Sequence, residues 1–154
     1  MDRVPALLMS IGLLLAAGPL HADDADASER GARKPALDRS GRAQVGEASF
    51  YARKFAGRPM ADGTPMDPHG DNAASKTLPL GTTATVTNLD TGLSAVVTIQ
   101  DRGPFVEGRI VDLSPATARR IGLEPEEGVT QVEVAPIAVP QPDGSIRRGA
   151  GARR

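Results

Sequence analysis

Two neighbouring segments rich in β-branched residues constrain the fold of this chain most strongly. Valine, isoleucine and threonine make up much of residues 82–87 and 93–100. The polar residues 88–92 lie between them and end in a glycine. Branched side chains favour strands, and a short connection that contains glycine is typical of a β-hairpin. The sequence therefore predicts an antiparallel strand pair over 82–100.

Further short strands are predicted on both sides of this hairpin. Residues 46–51 form the first strand, and residues 109–113 and 129–134 form two later ones. In the last of these, polar side chains at 131 and 133 alternate with valines at 132 and 134, as expected for a half-buried strand. Several short strands favour a small closed β-barrel, which leaves no exposed strand edges.

One short helix is predicted after the strand at 109–113. Ser114 is a favourable N-cap residue, Pro115 suits the first helical position, and Gly122 ends the segment 116–121. With 17 glycines, 13 prolines and only four aromatic residues, the core of this barrel must consist mainly of aliphatic side chains.

The charge balance and the lack of cysteine exclude several classes of function. A chain of 154 residues has room for one modest domain. Because 18 basic residues face 19 acidic ones, the chain lacks the basic field of a nucleic-acid-binding protein, and we expect no such partner. With no cysteine, the chain has no disulfide, thiolate metal site, cysteine nucleophile or lipoprotein anchor.

The first 22 residues are predicted to be a signal peptide. The apolar run 6–17 is shorter than the ~20 residues that span a bilayer, and Gly18 and Pro19 end it. Cleavage is predicted after Ala22; the alternative is an uncleaved anchor. We expect an exported protein of the periplasm or cell envelope. If His21 leaves with the signal peptide, His69 is the single histidine that remains.

Residues 23–44 and 138–154 are predicted to be disordered, as a linker and a basic tail. The first segment has no apolar periodicity, and the second combines prolines and glycines with four arginines. The tail either contacts an anionic glycan or lipid, or is simply solvated. The folded domain is thus predicted to cover residues 45–137.

Two loop segments contain the candidate chemistry. In the sequence QDRGPF at 100–105, Gly103 and Pro104 force a bend, so Asp101 lies at a strand end where its carboxylate projects into a cleft. The alternative is a turn carboxylate that binds backbone amides or the neighbouring arginine. The second segment, AASKTLPLG at 73–81, places polar residues before a proline–glycine turn.

Six segments follow one another in a specific order along the chain: GEASFY (46–51), ADG (61–63), AASKTLPLG (73–81), VTN (86–88), DRGPF (101–105) and GRIVDLS (108–114). Taken in this order, they resemble the RlpA-like (rare lipoprotein A) family over roughly residues 45–137. The resemblance implies an all-β fold: a six-stranded double-psi β-barrel with one or two short helices. It also implies a cell-envelope protein that acts on peptidoglycan.

The resemblance further implies a lytic transglycosylase that favours glycan strands without stem peptides and leaves 1,6-anhydro ends. Asp101 matches the family's catalytic aspartate. In this role a carboxyl protonates the leaving oxygen and then accepts the proton of the C6 hydroxyl, so no second carboxylate nucleophile is needed. Such an acid needs a raised pKa, which Arg102 would oppose if its side chain pointed inward. We expect no cofactor and no metal.

Position 75 departs from the family pattern, because Ser75 stands where the family has a histidine. A serine hydroxyl can bind a sugar oxygen or Asp101, but it does not titrate near neutral pH. The alternative function is therefore a weakened or inactive module that binds peptidoglycan and loosens the wall. His69 either substitutes for the missing histidine or is solvated.

The remaining candidates follow from their positions. Tyr51 offers a ring for sugar stacking or packs in the core, and Arg102 is a further candidate for substrate binding. Lys76 either pairs with the lactyl carboxylate of the glycan or is solvated. Asp112 is expected to be a supporting buried carboxylate paired with Arg109 or Arg102. A third class of function is an interaction module for envelope or division proteins; a monomer is expected.

Overall fold

The computed structural model describes residues 36–153 of the chain. The predicted signal peptide, 1–22, and most of the predicted linker lie outside the described residues. Within the described part, no helix combines the length and apolar character needed to cross a membrane.

The described chain consists mainly of short strands. One α-helix, α1 (Pro115–Arg120), and two 3-10 turns, η1 (Arg53–Phe55) and η2 (Ala150–Arg153), accompany them. The strands are β1 (Gln44–Phe50), β2 (Asn72–Ala74), β3 (Thr83–Asn88), β4 (Ser94–Asp101), β5 (Arg109–Leu113), β6 (Thr130–Pro140) and β7 (Ile146–Arg148).

Strands β1 to β6 close into a barrel. They are ordered β1-β5-β2-β4-β3-β6, and β6 pairs again with β1 to complete the circle, while β7 adds to the other part of β6. The pairs β1–β5 and β2–β4 are parallel, and the other pairs are antiparallel. This mixed closed barrel confirms the predicted all-β, six-stranded double-psi fold.

Alternation along the strands builds an aliphatic core. In the confirmed β3–β4 hairpin, Ala84 and Val86 face Val97 and Ile99, and all four side chains are fully buried. The core cluster otherwise consists of small and branched residues, as the scarcity of aromatic residues predicted. Regular inward alternation leaves the outward positions and the strand ends free to form a site.

The helix begins as predicted. The hydroxyl oxygen of Ser114 accepts a hydrogen bond from the backbone N–H of Thr117, and Pro115 occupies the first turn. The same Ser114 hydroxyl donates to the carbonyl of Gly70 at 2.6 Å. The cap therefore satisfies an orphan N–H and also joins the helix to the loop before β2.

The structure differs from the predicted disordered tail at the C-terminus. Strand β6 continues to Pro140, and Arg147 pairs with Val139 in the β6–β7 hairpin. A Cβ on Gly149 would lie 2.2 Å from the carbonyl oxygen of Pro136, and one on Gly151 would lie 2.4 Å from that of Ala135. These glycines, which suggested flexibility in the sequence, are needed where two backbones approach closely.

The end of the predicted linker also packs against the barrel. The Asp38 N–H donates to the Thr77 carbonyl at 2.7 Å, and a guanidinium nitrogen of Arg39 donates to the Pro140 carbonyl at 2.7 Å. The ordered part of the chain thus extends beyond residues 45–137 on both sides. Hydrogen bonds to backbone carbonyls hold these segments, and Val139 is fully buried.

Candidate functional site

An open groove of about 760 Å³ lies where β1, β4 and β5 meet the loops that follow β1 and β4. Polar and aromatic groups share its surface. Among the residues that line it are Tyr51, Phe55, Asp101, Phe105 and Asp112.

Asp101 occupies the last position of β4. The chain turns immediately afterwards at Gly103, whose φ of 125° is a conformation that side chains disfavour. One carboxylate oxygen, Oδ2, accepts the Tyr51 hydroxyl at 2.7 Å. The other, Oδ1, accepts the backbone N–H groups of Ala61 at 2.9 Å and Arg102 at 2.8 Å. Asp101 therefore lines the groove, as expected for a carboxylate that projects into a cleft. It also binds backbone amides, as expected for a turn carboxylate.

The guanidinium of Arg102 binds backbone carbonyls of the loop after β2. Its Nη1 donates to the carbonyls of Ser75 at 3.0 Å and Leu78 at 2.6 Å. Burial lowers the pKa of Arg102, and the charge of Asp101 partly offsets this effect. Although Arg102 borders the groove, its charged end holds the loop after β2 against the end of β4.

Tyr51 contacts both the acid and the aromatic wall of the groove. Its ring meets that of Phe55 edge-on, with centroids 6.2 Å apart. Burial is the main cause of the raised pKa of Tyr51, followed by its hydrogen bond to Asp101. The phenol therefore remains a proton donor to the carboxylate across the physiological range.

Two phenylalanines in the groove were not predicted as site residues. Phe105 is 79% exposed, and Phe55 is 36% exposed with the Arg58 guanidinium 5.5 Å from its ring centroid. Exposed aromatic faces of this kind suit the apolar C–H face of a sugar ring. The available signal was the position of Phe105 directly after the bend that follows Asp101.

Asp112 is closer to the groove than a purely supporting residue. In the strand register, Asp112 and Asp101 both pair with Ala74, so they lie on the two strands that flank β2. The Ser49 hydroxyl donates to Asp112 Oδ1, and the charge of Arg109 also favours the carboxylate. Burial nevertheless dominates and raises the pKa of Asp112, and the charge of Asp101 adds to this. The predicted pairing with Arg109 is thus electrostatic, while the hydrogen-bond partner is Ser49.

Three predicted residues lie outside the groove lining. Ser75 is 1% exposed, and its hydroxyl oxygen accepts the N–H groups of Thr77 at 3.3 Å and Leu78 at 3.0 Å. Lys76 is partly exposed, and within residues 36–153 its ammonium has no hydrogen bond or ion pair. His69 borders a second cleft instead. The structure therefore brings together Tyr51, Asp101, Arg102 and Asp112.

No cluster of three or more potential metal ligands occurs among residues 36–153. The chemistry available in the groove is that of carboxyl, phenol and guanidinium groups and of exposed rings.

Comparison with known proteins places this chain in a family. A family model described as lytic transglycolase matches residues 43–134. The chain is 49% identical over 84 residues to the endolytic peptidoglycan transglycosylase RlpA of Pasteurella multocida, covering 54% of this chain and 29% of that protein. It is 38% identical over 123 residues to the Pseudomonas aeruginosa protein of the same name, covering 70% and 36%.

Among solved structures, the Streptomyces papain inhibitor matches with a TM-score of 0.48 and 24% identity, covering 62% of this chain and 94% of that one. The chain spans about a third of the length of the curated relatives it matches. The family match includes β1 to β5 and Asp101, and it ends within β6. The chain belongs to the RlpA-like lytic transglycolase family of double-psi β-barrels.

Proposed function

We propose that this domain binds peptidoglycan glycan strands in the groove and cleaves them as a lytic transglycosylase. The observation that carries the proposal is the Asp101 carboxylate, held by three donors in an open groove beside exposed aromatic rings. The cleaved bond joins N-acetylmuramic acid to N-acetylglucosamine, in strands that lack stem peptides.

The proposed reaction uses Asp101 twice. As an acid, it gives a proton to the glycosidic oxygen while the bond to the anomeric carbon breaks. As a carboxylate, it then takes the proton of the C6 hydroxyl as that oxygen bonds to the same carbon and forms a 1,6-anhydro ring. No water is consumed. Tyr51 and the two amides orient the carboxylate, which keeps it aligned through both transfers.

Asp112 is proposed as a supporting group in this reaction. Its burial makes the ionised form costly, so it retains a proton to higher pH than an exposed aspartate does. The nearby charge of Asp101 adds to this rise in the pKa of Asp112.

A second candidate function is glycan binding without cleavage. The observation that favours it is Ser75, whose buried hydroxyl is occupied by two amides of its own turn. Position 75 thus supplies no titrating group, whereas the family pattern expects a histidine there. In this alternative, the groove and its aromatic rings remain functional while the chemistry is weak.

The surroundings proposed for either function are those expected from the sequence. Residues 1–22 act as a signal peptide, and the protein works as a monomer in the periplasm or cell envelope. Envelope or division proteins are further proposed partners. Export of a fusion of residues 1–22 to a periplasmic reporter, with N-terminal sequencing of the product, tests the cleavage after Ala22.

Sedimentation and digestion separate the two candidate functions. The purified protein is incubated with stem-peptide-free sacculi. Co-sedimentation reports binding, and soluble glycan fragments report cleavage. The transglycosylase proposal expects both, with Phe105→Ala weakening sedimentation, since it removes an exposed ring of the groove.

Sedimentation without products supports the binding module instead. In that case Ser75→His tests whether a titrating group at position 75 restores cleavage. Absence of sedimentation with sacculi contradicts both candidates and leaves an interaction module for envelope proteins.

A further inference from the structure

A second cleft, of about 400 Å³, is bordered by η1 and by α1. Three of the residues that line it carry basic side chains: Arg53, His69 and Arg119. Among residues 36–153, no hydrogen bond or ion pair engages these three side chains. The nearby carboxylate of Asp67 accepts the backbone N–H of His69 at 2.8 Å. The cleft thus presents unpaired donors to solvent.

The turn η1 forms a wall shared by the groove and the cleft. Phe55 lines the groove, whereas Arg53, two residues earlier, and Ala56, one residue later, line the cleft. Arg53 and Phe55 are the first and last residues of this turn, so the groove and the cleft border the same short piece of backbone.

The groove contains charges of both signs. Its two acids are Asp101 and Asp112, and burial favours the protonated form of Asp112. Of its arginines, Arg102 donates to two backbone carbonyls, Arg58 lies over the Phe55 ring, and the charge of Arg109 acts on Asp112. A substrate that carries carboxylates must therefore place them away from the two acids.

We propose that the cleft lined by Arg53, His69 and Arg119 is a subsite for a carboxylate of the glycan strand, that of the lactyl group on N-acetylmuramic acid. This inference rests on the proposed function and adds a binding site to it. A guanidinium offers paired N–H donors that match a carboxylate, and arginines without an existing partner break no ion pair when they bind one. The role considered for Lys76 in the sequence is thereby assigned to this cleft.

The same chemistry is present in free stem peptides, which also carry carboxylates. The test therefore compares three probes by calorimetry: stem-peptide-free glycan oligomers, chitooligosaccharides of equal length, which lack the carboxylate, and free stem peptide. The variant is Arg53→Gln with Arg119→Gln. Its matched control is Arg120→Gln with Arg147→Gln, which removes the same charge at exposed positions outside both cavities.

The double variant is expected to bind the peptide-free glycan roughly tenfold to a hundredfold more weakly, as for the loss of one or two charge-assisted hydrogen bonds. Its affinity for chitooligosaccharide should match that of the wild type, and the control should retain affinity for both. An equal loss for the neutral glycan, or an equal loss in the control, overturns the proposal. Stem peptide that binds the cleft more tightly than the glycan also overturns it.

An NMR titration of the wild-type protein with single sugars tests the cleft directly. It does not depend on the folding of a variant or on binding of a strand in the groove. The arginine Nε–Hε signals are followed as N-acetylmuramic acid or N-acetylglucosamine is added. The subsite predicts shifts at Arg53 and Arg119 with the acidic sugar only. Such shifts without binding of long strands would support the subsite and contradict the groove. Strand binding without them would support the groove and contradict the subsite.

Discussion

Two loops leave the barrel at the same place and use their polar residues in opposite ways. One follows β4 and begins at Asp101, and the other follows β2 and begins at Ser75, one residue after Ala74, the register partner of Asp101. The first loop presents its carboxylate to an open groove. The second turns its hydroxyl into its own backbone, where it is 1% exposed.

The difference shows that position at a strand end does not by itself create a site. After β4, the bend at Gly103 leaves the carboxylate free to meet donors from three separate segments: Tyr51, Ala61 and Arg102. After β2, the nearest donors to the Ser75 hydroxyl are the amides of the next turn, and they occupy it. The first loop is thus suited to chemistry and the second to holding the fold.

The largest predicted effect is that of Asp101→Asn. The amide keeps the size of the side chain but neither gives nor takes the proton, so the turnover of stem-peptide-free sacculi should fall by roughly 10²- to 10⁴-fold. Co-sedimentation with sacculi should be retained. A variant that cleaves as fast as the wild type would show that the loop after β4 does not carry the acid.

Tyr51→Phe should have the next largest effect. It removes one of the three donors to Asp101 and leaves the ring that meets Phe55. We expect a loss of about tenfold in kcat with little change in KM, corresponding to about 1.4 kcal/mol for one hydrogen bond. Steady-state kinetics on soluble glycan strands measure it. A change confined to KM would mean that Tyr51 binds sugar rather than orienting the acid.

Ser75→Ala should reveal the contrasting role of the second loop. It leaves two backbone N–H groups without their acceptor, so chemical denaturation should show a loss of about 1 to 3 kcal/mol in the free energy of unfolding. The turnover of the folded variant should be close to that of the wild type. A selective loss of turnover at unchanged stability would instead assign Ser75 to the chemistry.

The smallest predicted effect concerns the pH dependence of stability at Asp112. Burial raises the pKa of Asp112 in the folded protein above its ordinary value. The contribution of Asp112 to the free energy of unfolding is therefore most favourable below its pKa in the unfolded chain, and it is lost as the pH rises through its pKa in the folded protein. Asp112→Asn should therefore gain stability relative to the wild type as pH rises from about 4 towards 7. Unfolding measured across this range checks the sign, and a gain that appears on acidification would contradict it.

Much of the barrel was predictable because it follows from local patterns. The β3–β4 hairpin, the strand at β5 and the cap at Ser114 each carry their signal in a few adjacent residues. Strand β2 was not predicted, because three residues held between two other strands show no periodicity of their own. The C-terminal hairpin was not predicted for a different reason. Gly149 is needed because its backbone packs closely against that of Pro136, and this contact cannot be read from the sequence.

The site was predictable to the same extent. The bend after Asp101 indicated a presented carboxylate, the family resemblance directed attention to Ser75, and position alone suggested Tyr51. The orientation of Arg102 and the burial of Ser75 depend on which backbone groups lie nearby in three dimensions. The exposed face of Phe105 likewise depends on the course of the loop and not on its composition.

The most direct test of the central claim is the chemistry of the chain ends that the wild-type protein leaves on stem-peptide-free sacculi. Digestion in ¹⁸O-labelled water, followed by mass spectrometry, distinguishes intramolecular closure from hydrolysis. If Asp101 accepts the C6 proton as proposed, each new end is a 1,6-anhydro N-acetylmuramic acid without ¹⁸O, and Asp101→Asn forms such ends far more slowly than the wild type. Reducing ends that carry ¹⁸O, or 1,6-anhydro ends formed equally well by Asp101→Asn, would contradict the account.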